Sequence, residues 1–299
     1  MGIFYLFLAK VCAIGKMIAM KKCGKLASGA KNSLLINSIR SMGCAGISLI
    51  ICLFSGFDAM SGEGYFVSAL SGIANAGLLF LWVLCAERCS LCTVEIFCMI
   101  GGVVIPLLIS PLIFVGETIT VFQWLGAIIL LPAAYCFSSK KKEEKKVSAG
   151  SFLLLICACL ANAGCVTTQK VYTYYGYGSI ADFNLITFLV CTASLLFVLI
   201  CFRAIKSKNC EKEVNVSDNF GKNQIIVYII LAIVMLYASQ YLGTLSSESL
   251  KSALFFPLSY AISMPLTLLT DILIFKERLN IKSIIGLSLV IISIYFINI

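Results

Sequence analysis

The chain has 299 residues, 60% of them hydrophobic and only 12% charged, against about 25% charged in an ordinary soluble domain. With a mean hydropathy of +1.01, that balance excludes a soluble globular protein and a disordered one alike. The net charge of +9 is no nucleic-acid signature, because the positive residues fall between apolar runs; the absence of histidine removes His-based acid–base, triad and metal chemistry together.

A membrane-spanning helix needs ~20 mostly apolar residues. Apolar runs bounded by charge predict ten such spans, at 2–20, 33–54, 65–85, 93–115, 120–138, 150–171, 183–202, 224–244, 252–275 and 279–299. The expected fold is therefore an all-α integral membrane protein. The first run lacks a basic leader and an A-x-A cleavage site, so it reads as a retained helix rather than a signal peptide. Lys10 lies midway along it, where a lysine costs ~3 kcal/mol on insertion scales. Two outcomes are open: Lys10 snorkels to an interface, or it faces a hydrated cavity and a carboxylate or phosphate of a substrate. Lys16, nearer the helix end, is expected to snorkel.

Arg40 in the second span and Glu95 in the fourth lie in corresponding halves of their spans. They form a charge-masking pair or two separate interfacial side chains; a buried Glu95 would also suit a coupling proton. Ser71, Asn75 and Trp82 make a polar stripe on the third span. Gly101, Gly102, Pro106 and Pro111 should bend the fourth. Glu117 and Gly126 surround the start of the fifth. The basic stretch Lys140–Lys146 sits in a linker, 139–149, between two halves, 1–138 and 150–299.

On the sixth span Asn162 and Gln169 are seven residues apart. The eighth carries Tyr237, Gln240, Tyr241 and Thr244, and the ninth Ser259, Tyr260, Ser263 and Thr267. Glu277 and Gly286 surround the start of the tenth. Serines and threonines in spans are expected to join helices. The larger groups, Asn75, Gln169, Tyr237, Gln240, Tyr241 and Tyr260, are expected to line a substrate cavity with Lys10, because an amide or phenol needs more than a packing niche. The 15 cysteines are scattered, and the one CxxC, Cys89 to Cys92, has no second pair; they read as small apolar filler. No cofactor or metal is implied.

Eighteen of the 23 lysines and arginines fall in the odd-numbered connections. The positive-inside rule then puts those connections in the cytoplasm and both termini outside the cell membrane.

The halves also resemble each other. Phe4 aligns with Phe152, Lys22 with Lys170, and Ile51-Cys52 falls near Ile200-Cys201. Leu112-Ile113-Phe114-Val115-Gly116-Glu117 aligns with Ile272-Leu273-Ile274-Phe275-Lys276-Glu277, and nine residues after each glutamate comes a glycine, Gly126 and Gly286. Five spans per half is odd, so the second half sits inverted relative to the first. This constellation, with Pro106, Pro265 and Arg40, resembles the drug/metabolite transporter superfamily and its ten-helix EamA-type members. The resemblance implies a secondary transporter of a small organic solute, a permease working by alternating access, with Glu117 and Glu277 as structural caps or gate elements. Members are usually drawn with cytoplasmic termini, the reverse of the charge count. Partners are then a solute and membrane lipid, with a homodimer compatible and no nucleic acid. A non-transporting membrane interaction protein is the alternative, and a membrane-embedded enzyme a weaker one, since the spans hold no acid or nucleophile constellation.

Overall fold

A computed structural model describes residues 1–24, 30–88, 94, 97–138, 149–206, 222–274 and 281–298. Glu95, Glu277, the Cys89–Cys92 motif and the basic stretch 140–146 lie outside the described residues. In chain order the helices are α1 (Gly2–Gly24), α2 (Ala30–Ser55), α3 (Gly62–Arg88), a π turn (Ile100–Val104) leading into α4 (Ile105–Ile113), α5 (Val121–Ser138), α6 (Ala149–Tyr175), α7 (Ile180–Lys206), α8 (Lys222–Ser249), α9 (Ser252–Leu273) and α10 (Ile281–Ile297). No strand occurs among the described residues.

Among the described residues, seven helices are long and apolar enough to cross a membrane: α1, α2, α3, α6, α7, α8 and α9. The apolar stretches Phe97–Ile113, Val121–Ala133 and Ile284–Ile297 are shorter. The outer surface of the bundle is unlike a water-soluble protein's. Phe54, Leu112 and Phe197 stand 89%, 84% and 69% exposed, while Ser48, Ser68, Asn184 and Thr187 are wholly buried. Large apolar side chains on the outside and small polar ones between helices suit a hydrocarbon solvent. Helices dominate for the same reason, since each satisfies its own backbone groups where no water can. The chain thus has the build of a multi-pass all-α membrane protein.

Helix ends follow local chemistry. Gly56 (φ 87°) and Gly176 (φ 63°) directly follow α2 and α6, where a left-handed residue closes the last turn and a side chain would be strained. At the start of α5, Thr120 and Gln123 cap reciprocally: Gln123 N–H donates to Thr120 Oγ1 (3.2 Å) and Thr120 N–H to Gln123 Oε1 (3.1 Å). In the fourth span the diglycine lies in a π turn. A Cβ on Gly101 would fall on the Cys159 carbonyl of α6, and one on Gly102 on the Tyr260 ring of α9. Both glycines are thus spaces that let three helices meet.

Helix α1 packs on α8, α2 on α7, α3 on α6 and α7, and α5 on α10. Short polar side chains bridge several of these pairs. Ser41 and Ser48 of α2 donate to the Phe188 and Ala181 carbonyls of α7, each at 3.2 Å. Thr187 of α7 donates to the Ser68 carbonyl of α3 (3.2 Å), and Cys44 of α2 to the Ile233 carbonyl of α8 (3.6 Å). The largest apolar cluster joins α4, α5, α9 and α10 around Leu107, Phe114, Leu130, Phe256 and Val290.

Gly126 is where α5 meets α10. A Cβ there would come within 2.7 Å of Ile297 Cγ1 and 2.9 Å of the Ser293 carbonyl, and Ser293 Oγ donates to the Gly126 carbonyl at 2.7 Å. Backbone cannot yield as a side-chain tip can. Gly126→Leu should therefore cost roughly 1–3 kcal/mol and lower the melting temperature of the detergent-purified protein. Gly46→Leu, facing open space on α2, should leave it unchanged; equal effects of the two would remove the close α5–α10 approach as the cause.

Candidate solute-binding cavity

A cavity of about 250 Å³ opens among α1, α3, α6, α8 and α9. Each helix gives one face to it. From α1 come Leu6, Ala9, Lys10, Ala13 and Lys16; from α6 come Asn162, Cys165, Val166 and Gln169, spaced 0, 3, 4 and 7, the spacing of neighbours on one helical face. Asn75 and Leu78 enter from α3, Ser239, Gln240 and Gly243 from α8, and Phe255, Ser259 and Tyr260 from α9. Residues of both chain halves thus meet at one site, well inside their helices.

The amides are held in place. Asn162 Nδ2 donates to Tyr260 Oη (2.7 Å) and to the Cys98 carbonyl just ahead of the π turn. Gln169 Nε2 donates to Thr244 Oγ1 (2.7 Å), and Asn75 Nδ2 to the Ser71 carbonyl one turn earlier (2.9 Å). Lys10 Nζ lies 5.8 Å from the centroid of the Tyr260 ring, within the range of a cation–π contact. Lys10 and Lys16 bring two ammonium groups to the wall, and no carboxylate joins them among the described lining residues.

Of the residues singled out in the sequence, Lys10, Asn75, Gln169, Gln240 and Tyr260 meet here. Tyr237 and Tyr241 do not. They occupy another face of α8, where Tyr237 packs on Phe188 of α7 (6.4 Å between centroids), accepts a hydrogen bond from Ser48 of α2 (3.4 Å) and stacks with Tyr241 (6.0 Å). Lys16, expected to snorkel, lines the cavity instead. Asn162 and Ser259, noted as polar but not chosen, also line it, and Asn162 joins α6 to α9. Arg40 is buried with Nη1 donating to Asn37 Oδ1 (2.8 Å).

Glu117 takes a role across the chain rather than at the start of its own span. Its carboxylate accepts the Ser252 backbone N–H (2.9 Å) and the Ser252 hydroxyl, capping the N-terminus of α9, where a negative charge is favoured. Helix α5 leaves it free to do so, since Thr120 caps that helix. Lys170 works on the other side of the same connection, with Nζ donating to the Ser247 carbonyl (2.7 Å) and the Leu250 carbonyl at the end of α8. Gly126 sits at the α5–α10 contact, and the buried Gly286 lies on α10.

Among known proteins, no family model matches the chain, and no curated protein does. A protein of known crystal structure matches over 99% of this chain and 95% of its own, with a TM-score of 0.72 and 12% sequence identity. The likeness establishes a shared fold, and at that identity nothing more.

Removing the α9 cap gives a direct test of Glu117. Glu117→Ala should cost about 0.5–2 kcal/mol, the range for a lost helix cap. Combined with Ser252→Ala it should cost less than the sum of the two single changes, read by thermal unfolding; strict additivity would mean that the Ser252 hydroxyl has no part in the cap, and an unchanged melting temperature for Glu117→Ala alone would remove the cap itself.

Proposed function

We propose that this chain is a secondary transporter that carries a small organic solute across the cell membrane by alternating access, built as ten spans in two inverted five-helix repeats in the manner of the EamA-type drug/metabolite transporters it resembles. The observation that carries the reading is the cavity: a partly open space of mixed polar and apolar lining, with charged and amide side chains, walled by helices from both halves of the bundle. Such a wall is expensive in lipid and is kept where a solute or ion must pass.

The helix pairing supports the repeat. Exchange each helix with the one five places later, and the pair α1–α8 becomes α6–α3, while α2–α7 and α5–α10 map onto themselves. The hydrogen bond from Cys44 of α2 to α8 has its counterpart in the one from Thr187 of α7 to α3. Two halves with like packing preferences can trade conformations, which gives inward-open and outward-open states of similar energy. Between those states the cavity would change the side from which it fills.

An uptake screen tests the reading without a named solute. Proteoliposomes are incubated in a mixture of organic metabolites and their contents read by mass spectrometry. The wild type should accumulate one or a few components, and Ala13→Trp, which fills the cavity from α1, should accumulate none while keeping its melting temperature. Equal contents in protein-containing and empty vesicles would end the transporter reading.

Orientation is proposed from charge alone, with termini outside. In a Cys-less background, Phe57→Cys in the exposed α2–α3 connection should react with an impermeant maleimide in intact cells, and a cysteine kept at Cys210 should react only after lysis. The reverse pattern would invert the topology.

A further inference from the structure

Resting on the transporter reading, we infer that the cavity selects a small organic dianion, a solute with two negative charges on a short frame, as in a dicarboxylate or a phosphate monoester. The observation is a charge imbalance inside one cavity. Lys10 and Lys16 both line it, and among the described residues no acid does. Two engaged acids work elsewhere: Glu117 caps α9, and Asp182 accepts from Ser179 Oγ (2.6 Å) and the Asp58 N–H (3.2 Å) at the start of α7.

Two ammonium groups with no acid beside them among the described residues are costly to dehydrate in a low-dielectric bundle, and an anionic solute would supply the counter-charge. One negative charge would leave the second ammonium unmatched, whereas two would match the pair. Lys16 follows Lys10 by six positions, ~9 Å along α1, so the charges need separation or the side chains must converge on one phosphate. Size sets the other limit. At about 250 Å³ the space falls below the ~300–1,000 Å³ of sites for drug-sized ligands, which favours a short frame over a nucleotide.

The rest of the wall fits the neutral part. Tyr260, fixed by Asn162, holds one side of Lys10 through its ring. Gln240 lines the cavity, and its side-chain amide makes no hydrogen bond among the described residues, so it is available to a hydroxyl or carbonyl of the solute. The small side chains Ala9, Ala13 and Gly243 leave the frame room between the charged end and the amides.

The test uses the full chain in lipid nanodiscs and thermal shifts at constant ionic strength. The probes are succinate and glycerol 3-phosphate as dianions, butyrate and lactate as monoanions, and glycerol and glutamine as solutes without net charge. A dianion should stabilise the wild type most, as a ligand of the folded state does; which of the two arms responds tells carboxylate from phosphate. Lys10→Gln and Lys16→Gln should each weaken that binding about tenfold or more, as expected for losing a charge-assisted contact, and Lys16→Arg should retain part of it. If a glutamine variant fails to fold, the wild-type salt series decides, because binding of a dianion to two lysines must weaken steeply as salt rises. No shift with either dianion, equal binding of a monoanion or uncharged solute, or binding indifferent to both lysines and to salt overturns the inference. The vesicle uptake assay separates the two readings: accumulation of an uncharged solute with no dianion binding leaves the transporter and removes the dianion, while accumulation of nothing removes the transporter as well.

Discussion

An ammonium group inside a hydrocarbon-facing bundle must be hydrated or paired, and α1 brings two of them to the cavity. Much of the interior can be read as an answer to that constraint. Apart from Lys10 and Lys16, α1 lines the cavity with Leu6, Ala9 and Ala13, and the two alanines beside the lysines leave a space. The packing of α1 falls on other residues. A Cβ on Gly15 would lie 3.2 Å from the Met235 sulfur of α8, and one on Gly2 2.8 Å from Leu250 Cγ. Helix α1 is therefore held close to α8 along its length while its lysine face stays open. Lipid alone would favour closing that face with leucines; the lysines make closing it costly.

The polar groups around the space are held by neighbouring helices, which gives the wall a defined shape. Asn162 connects α6 to α9 through Tyr260 and to the Cys98 carbonyl ahead of the π turn. The π turn in turn requires Gly101 and Gly102, since α6 and α9 occupy the room their side chains would take. Gln169 connects α6 to α8 through Thr244. A wall assembled from five helices in this way couples the geometry of the cavity to the packing of both halves, so a relative movement of the halves must alter the site.

Much of the architecture was legible in the sequence because lipid imposes a simple rule, ~20 apolar residues to a crossing, and the predicted runs overlap the helices throughout. The site was legible in part. Residues that are costly in lipid for their type alone, Lys10, Asn75, Gln169, Gln240 and Tyr260, announced themselves. Facing was harder to read. Tyr237 and Tyr241 are four apart and share one face, whereas Ser239, Gln240 and Gly243 share another; the hydrophobicity of α8 is too even to say which face meets a cavity and which meets Ser48 and Phe188. Lys16 was hidden for a related reason. Six residues from Lys10 is about 120° around the helix, so the two lysines do not share a stripe, and only a cavity that wraps α1 brings them together. The partner of Glu117 was out of reach for local reasoning, because Ser252 lies 135 residues away and Thr120 already meets the local need.

The charge of the cavity also bears on how an alternating-access protein with this site would cycle. A wall with two cations and no solute is a poor state to occlude, because closing it strips water from both ammonium groups while nothing neutralises them. Occupied by a dianion, the same wall is close to neutral, and the closed intermediate loses most of that penalty. The loaded protein would then change sides readily and the empty one reluctantly, which favours exchange of one anion for another over net flow. This follows from placing the fixed charge on a helix that belongs to only one half. The inverted relation of the halves would make the two end states similar in packing, but α1 alone carries the lysine pair, since the aligned stretch of α6 has Ala158 and Gly164 where α1 has Lys10 and Lys16. The packing of such a transporter can be nearly symmetric while its electrostatics are not, and it is the asymmetric part that ties movement to cargo.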